Sequence, residues 1–151
     1  MTNTGVKTMT DEQIEAVGHR WHLEVVQDGK TGLADHILTP DVLTHVNGQE
    51  FRGVDAAKQL ATALKTAFPD MQITHHEAIV SGNNVAIRWT STQTHGGEYF
   101  GVPASGKQIQ IEGIDLFHVR NGKIAEMWIE FDNMGVLQQM GAVSQPQPAG
   151  V

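Results

Sequence analysis

The chain contains no cysteine. It therefore holds no disulfide framework, no thiolate nucleophile and no cysteine metal site, and nothing in it asks for an oxidising compartment. It also lacks any apolar run near the roughly 20 residues that a membrane helix needs. Its start, MTNTGVKTMT, has no apolar centre of the kind a secretory signal carries. The expectation is a cytoplasmic protein that neither spans a membrane nor is exported by that route. Basic residues are scarce: ten Lys and Arg stand against seventeen Asp and Glu, a formal net charge of −7, and no basic cluster occurs. Nucleic-acid binding depends on a phosphate-neutralising surface, so nucleic acid is not an expected partner. The same acidity favours solubility and repels anions, which points to a neutral or internally charge-balanced small molecule as the substrate.

What is present fits one domain. A chain of 151 residues can bury most of its apolar surface around a single core without staples. Residues 1–9 and 142–151 are rich in Gly, Pro, Ser, Thr and Gln and show no period, so both read as mobile tails around a domain at 10–141. Thr10 with Gln13 forms a capping box, and Ile14, Val17, Trp21 and Val25 recur at helical spacing until Asp28-Gly29. A short second helix is expected over Gly32–Leu38, stopped by Thr39-Pro40, before the β-rich VLTHV of residues 42–46. Asp55–Phe68 has the Ala, Leu and Lys density of a third helix, ended by Pro69-Asp70. From Met71 the period changes to two, and Met71–Ser81, Asn84–Thr94, Lys107–Val119 and Lys123–Phe131 read as long strands. The fold class is thus α+β, with helices first and an antiparallel sheet after.

Asn121-Gly122 is the strongest short hairpin signal in the chain and sets Arg120 opposite Lys123. Counting back without a bulge, Asp115 faces Trp128, Gly113 faces Glu130 and Phe117 faces Glu126, while Ile114, Leu116, Met127 and Ile129 share the other face. A bulge would shift this pairing by one. The apolar second face would leave a sizeable patch in water, so a homodimer, or a higher homo-oligomer, through the outer face of the sheet is expected.

Residues 94–141, THGGEYFGVPASGKQIQIEGIDLFHVRNGKIAEMWIEFDNMGVLQQMG, contain Thr-His-x-Gly-x-x-x-Gly-x-Pro-x-x-Gly-Lys, then Gly-Lys-Ile-x-Glu-x-Trp, then Gly-x-Leu-x-Gln-x-Gly. In combination these resemble the SnoaL-like polyketide-cyclase family, and the earlier half is consistent with that family's helix-helix-strand-helix entry. The resemblance covers roughly residues 10–141. It implies the cone-shaped α+β barrel of nuclear transport factor 2-like proteins: a curved antiparallel sheet with three N-terminal helices, a short C-terminal helix and a pocket between sheet and helices. It also implies a homodimer or higher assembly. The family includes cofactor-free cyclases that close a ring by intramolecular aldol chemistry, with an aspartate on the last strand as general acid/base. Counted from Gly122-Lys123 and Gly135, that position falls near Ile129, with Glu130 and Asp132 beside it and Glu126 a little earlier. Fold alone does not fix the reaction, because related folds host isomerases, dehydratases and epoxide hydrolases.

Proton transfer next to a carbonyl needs a carboxylate or histidine in an apolar cavity, since desolvation brings a carboxyl pKa toward the operating pH. Asp115, Glu126, Glu130 and Asp132 supply carboxylates mixed with Trp128, Phe117 and Ile111. The plainer reading is a solvated outer face, and for Asp132 an N-cap of the short helix Met134–Met140. His95 is in phase with Val85, Ile87 and Trp89; it is either a pocket residue or a hydrogen-bonded core histidine. Glu130 and Asp132 lead as acid/base candidates, with His95 and Asp115 next. Trp21, Trp128, His45 and Phe117 are the expected substrate-binding walls, with His22 at the edge of the buried stripe of helix one; for Trp21 the plainer reading is core, and it can be both core and wall.

Eight histidines raise the question of a metal. His19 and His22 are one helical turn apart, but His75 and His76 point to opposite faces of a strand and no HExxH or comparable ligand set occurs, so no metal is expected. Gly96-Gly97, Gly101 and Gly106 do not open a helix after a strand and so form a loop, not a phosphate cradle. No cofactor is expected either. The resulting expectation is a cofactor-independent general acid/base enzyme acting on a small, largely apolar carbonyl compound by aldol cyclisation or a related proton transfer. A non-catalytic small-molecule binding protein and an epoxide hydrolase are the alternatives on the same scaffold.

Overall fold

The computed structural model describes residues 9–144. Most of each expected tail lies outside the described residues. Helix α1, Asp11–Arg20, starts on the anticipated capping box: Gln13 N donates to Thr10 Oγ1 at 3.1 Å and Thr10 N to Gln13 Oε1 at 2.8 Å. At Trp21 it widens into a π-helical stretch, Trp21–Gln27, in which Asp28 N reaches back to Leu23 O. The wider turn keeps Trp21, His22, Val25 and Val26 together on the buried side. A 3₁₀ turn, Thr31–Leu33, leads into α2, Ala34–Ile37. Strand β1, Leu38–Val46, therefore begins earlier than the β-rich run suggests and carries Pro40 within it, where its pairing with the neighbouring strand is irregular.

A strand not anticipated from the sequence follows. β2, Gln49–Arg52, folds back on β1 through Asn47-Gly48, with Val46 opposite Gln49. Both turn residues have positive φ, as do Asn121 and Gly122 at the other Asn-Gly hairpin, which is what the two-residue mirror-image turn requires. Helix α3, Val54–Ala67, precedes β3 (Gln72–Ser81), β4 (Asn84–Thr94), β5 (Gln108–Arg120), β6 (Lys123–Phe131) and α4 (Asn133–Met140). The six strands form one open sheet in the order β2-β1-β6-β5-β4-β3, antiparallel except for the parallel pair β1·β6. It is curved, as the expected cone requires. α1 and its π-helical continuation lie across β3, β4 and β5, and α3 lies over β1 and β2. The core fills the space between, from Ile14, Trp21 and Val25 through Phe68 to Ile87, Phe117 and Met127. Gly18 lets helix and sheet close up, since a Cβ there would stand 2.9 Å from both Ile87 Cδ1 and Phe117 Cδ2.

Two single-residue bulges set which side chains face the helices. In β3 the pairs His75↔Trp89 and Glu77↔Arg88 leave His76 extra. In β6 the pairs Val119↔Ile124 and His118↔Glu126 leave Ala125 extra. The second bulge corrects the unbulged register. Asp115 faces Ile129, Ile114 faces Glu130 and Phe117 faces Met127. Met127 and Ile129 are therefore buried, whereas Glu126, Trp128 and Glu130 turn to the outer face.

Candidate active site

Asp115 is the one acid among the described residues that is fully withdrawn from water, with 1 % of its surface exposed. It sits on the inner face of β5 at the wall of a largely apolar pocket. The pocket is lined by Trp21, His22 and Val26 from the π-helical stretch, Leu60 and Leu64 from α3, Met71, Ile73 from β3, Trp89 and Ser91 from β4, Tyr99, Ile111 from β5, and Ile129 and Phe131 from β6. The inner cavity is small, about 50 Å³. Through Leu60, Tyr99 and Phe131 it adjoins an outer chamber of about 360 Å³ walled by Val46, Phe51, Phe100, Asn133 and Leu137 among others.

A buried carboxylate needs donors. Asp115 has two: Trp89 Nε1–H donates to Oδ1 at 2.9 Å, and His22 Nε2 lies 2.7 Å from Oδ2. Trp89 can lie there because its register partner is Gly113, which leaves the strand surface bare under the indole. His22 is oriented in turn by His75, whose Nε2 is 2.8 Å from His22 Nδ1. Rings of Trp89 and Phe117 meet His22 edge-on at 5.9 and 5.4 Å. Ser91 Oγ is buried with no hydrogen-bond partner among the described residues. Tyr99 donates its hydroxyl to Asn133 Oδ1 at 2.6 Å, and burial pushes its pKa up to about 12, so it remains a neutral phenol.

Of the residues singled out from sequence, Trp21 and Asp115 meet in this pocket. Phe117 is core, packed behind His22. His45 and Trp128 stack on each other at 4.8 Å on the outer face, where His45 Nε2 meets Glu126 at 2.7 Å. Glu130 is exposed on that face because of the Ala125 bulge. Asp132 caps α4, accepting from Gly135 N at 2.9 Å. His95 faces inward and is fully buried, but it lies beyond the pocket, with Nδ1 held by Ser105 Oγ at 2.9 Å and its ring 6.1 Å from that of Phe68. His22, Trp89, Ser91 and Tyr99 were not singled out as site residues. For Trp89 and Ser91 the signal was present in their strand phase, shared with Val85, Ile87 and His95.

The model of the SnoaL-like polyketide cyclase family matches residues 16–140. The chain belongs to the SnoaL-like polyketide cyclases. It is 32% identical over 146 residues to the aklanonic acid methyl ester cyclases DnrD of Streptomyces peucetius and DauD of Streptomyces sp. (strain C5). The match spans 91% of this chain and 96% and 86% of theirs, respectively. Among solved structures, TsrD from Streptomyces laurentii superposes with a TM-score of 0.81 at 24% identity, covering 90% of this chain and all of that one, and so shares the fold. In this SnoaL-like chain the buried carboxylate stands on β5, while the position counted to near Ile129 is an apolar wall directly across from it.

Proposed function

We propose that this SnoaL-like protein is a cofactor-independent cyclase that closes a ring by intramolecular aldol chemistry, with Asp115 as the acid/base. The observation that carries the reading is the Asp115 carboxylate itself: buried, held by two N–H groups, and facing an apolar cavity. Such a base takes the acidic proton from a carbon flanked by carbonyls. The carbanion then forms the C–C bond to a carbonyl carbon of the same molecule, and the resulting alkoxide recovers the proton from Asp115, so no atom is gained or lost. The Ser91 hydroxyl is placed to donate to a substrate oxygen. The inner cavity admits the reacting end of a substrate and the outer chamber the remainder, which suits a polyketide longer than the inner cavity. Trp21 and Tyr99 serve as walls.

The test uses aklanonic acid methyl ester, the compound named for the two 32%-identical relatives. The parent protein should cyclise it or a related β-keto ester, and Asp115→Asn should lower kcat by about 10²–10⁴ while the fold is retained. Binding of such esters without turnover by the parent would favour a binding protein instead. We further propose that two copies pair through the outer sheet face, where Ile114 and Ile79 are 54 % and 66 % exposed. The bulge removes Met127 and Ile129 from that face, so the contact is more polar than the sequence pattern implied. A monomer in sedimentation at micromolar concentration would refute the pairing.

A further inference from the structure

The pocket uses one face of His22, and the other leads away from it. His22 Nε2 lies 2.7 Å from Asp115 Oδ2 and its Nδ1 2.8 Å from His75 Nε2. His75 stands on β3, one of the two edge strands of the sheet, half-buried, and stacks at 4.2 Å on His19 of α1. His19 lies 3.4 Å from Glu15, and His76 turns to the outer face toward Thr90. Three groups that can each take up and release a proton are thus hydrogen-bonded in series, from a carboxyl group 1 % exposed to a ring at the sheet edge. The His76 bulge is what turns His75 inward opposite Trp89.

We propose that His22 and His75 form a proton relay through which solvent sets the protonation state of Asp115. The steps balance. In one arrangement Asp115 is a carboxylate, His22 Nε2–H donates to it and His75 Nε2–H donates to His22 Nδ1. A proton arriving at His75 Nδ1 lets His75 pass its Nε2 proton to His22 Nδ1, and His22 pass its Nε2 proton to Asp115 Oδ2. The result is a neutral carboxylic acid and two neutral imidazoles, each now carrying hydrogen on Nδ1. The reverse sequence discharges the acid. Burial, together with the neighbouring His22, His19 and His76, lowers the His75 pKa to about 4, so near neutral pH the ring keeps the free lone pair that the incoming proton needs. Trp89, the other donor to Asp115, cannot relay, because an indole nitrogen has no second site.

The catalytic use of the relay rests on the reading of Asp115 as the acid/base, but its test needs no substrate, so the two can fail separately. In protein labelled with ¹⁵N-histidine, nitrogen shifts report the tautomer of each ring, and water-to-imidazole saturation transfer reports the exchange rate of the His22 Nε2 proton. The relay requires both rings to carry hydrogen on the same-named nitrogen. Opposite tautomers would set two lone pairs or two hydrogens face to face and overturn it, a result obtainable on the parent alone. His75→Gln keeps a side-chain N–H for His22 Nδ1 but cannot transfer a proton; it should leave the His22 tautomer unchanged and slow exchange at least about tenfold. Exchange at the parent rate in His75→Gln would overturn the relay. So would slowing seen in His75→Phe only, which would make His75 merely a support for the His22 ring.

Discussion

Trp89 lies across Gly113, its partner on β5, so closely that a Cβ on Gly113 would stand 2.5 Å from Trp89 Cζ2 and 2.7 Å from the carbonyl oxygen of Glu130. One obstacle is a ring wedged in the core and the other is backbone, so neither yields easily. Gly113→Ala is expected to destabilise the fold by about 1–3 kcal/mol and to displace the indole from Asp115. Urea unfolding and tryptophan emission would show both, and an unchanged midpoint would contradict the packing described.

Trp89→Phe tests the same contact without crowding. The phenyl ring still covers Gly113, but Asp115 Oδ1 loses its indole donor. Loss of a hydrogen bond to a buried charged group costs about 1.5–3 kcal/mol, so the variant should unfold at lower denaturant. Its retained sheet signal in circular dichroism would separate this effect from loss of fold.

Stability should also fall on acidification in a definite window. His75 has a folded pKa of about 4 against an ordinary 6.5, and that of His19 is lowered too, chiefly by burial. Between those values the unfolded chain binds more protons than the folded one, so unfolding becomes easier as pH drops from 6.5 toward 4 and the effect levels off below. His75 is only half-buried, so after allowance for solvent screening about 1 kcal/mol is expected from it. His75→Gln should flatten this part of the stability profile; a profile as steep as the parent's would assign the slope elsewhere.

The outer acids should behave as surface groups. Glu130→Gln removes a charge that faces solvent and should change stability by no more than about 0.5 kcal/mol and leave turnover near the parent value. Asp132→Ala should cost about 1 kcal/mol through the lost cap of α4, whereas Asp132→Asn should keep most of it. Thermal unfolding of the three variants distinguishes these outcomes.

The elements that sequence reasoning located are those with local causes: a capping box at Thr10, a period of two from Met71, an Asn-Gly turn at 121–122. The strand β2 was equally local, since Asn47-Gly48 is the same turn signal, but its four residues are too short and polar to show a period. The site was harder. Asp115 and Trp21 are legible as candidates, but Glu130 ranks ahead of Asp115 in the sequence because it lies beside the position that the family resemblance gives the last-strand aspartate. The unbulged register that puts both on one face is shifted by one residue at Ala125. Nothing in the composition of β6 announces a bulge there; it is set by burying Met127 and Ile129 against the helices. His22 was visible at the edge of a helical stripe, but its place at Asp115 follows from the π-helical turn and from a contact 93 residues apart in sequence.

The Ala125 bulge has a kinetic side as well. From the Asn121-Gly122 turn, the first two pairs, Arg120↔Lys123 and Val119↔Ile124, are the same in the bulged and unbulged ladders. A hairpin growing outward from that turn closes within microseconds, before distant helices have docked, so its earliest contacts do not choose between the two. The choice falls when Met127 and Ile129 join the core beneath the helices that meet β6, α1 and α2, contacts of long sequence separation that form slowly. Until then β6 is a ribbon with two faces of comparable appeal, and the rate at which the nascent pocket acquires its apolar wall opposite Asp115 is set by helix docking, not by the hairpin.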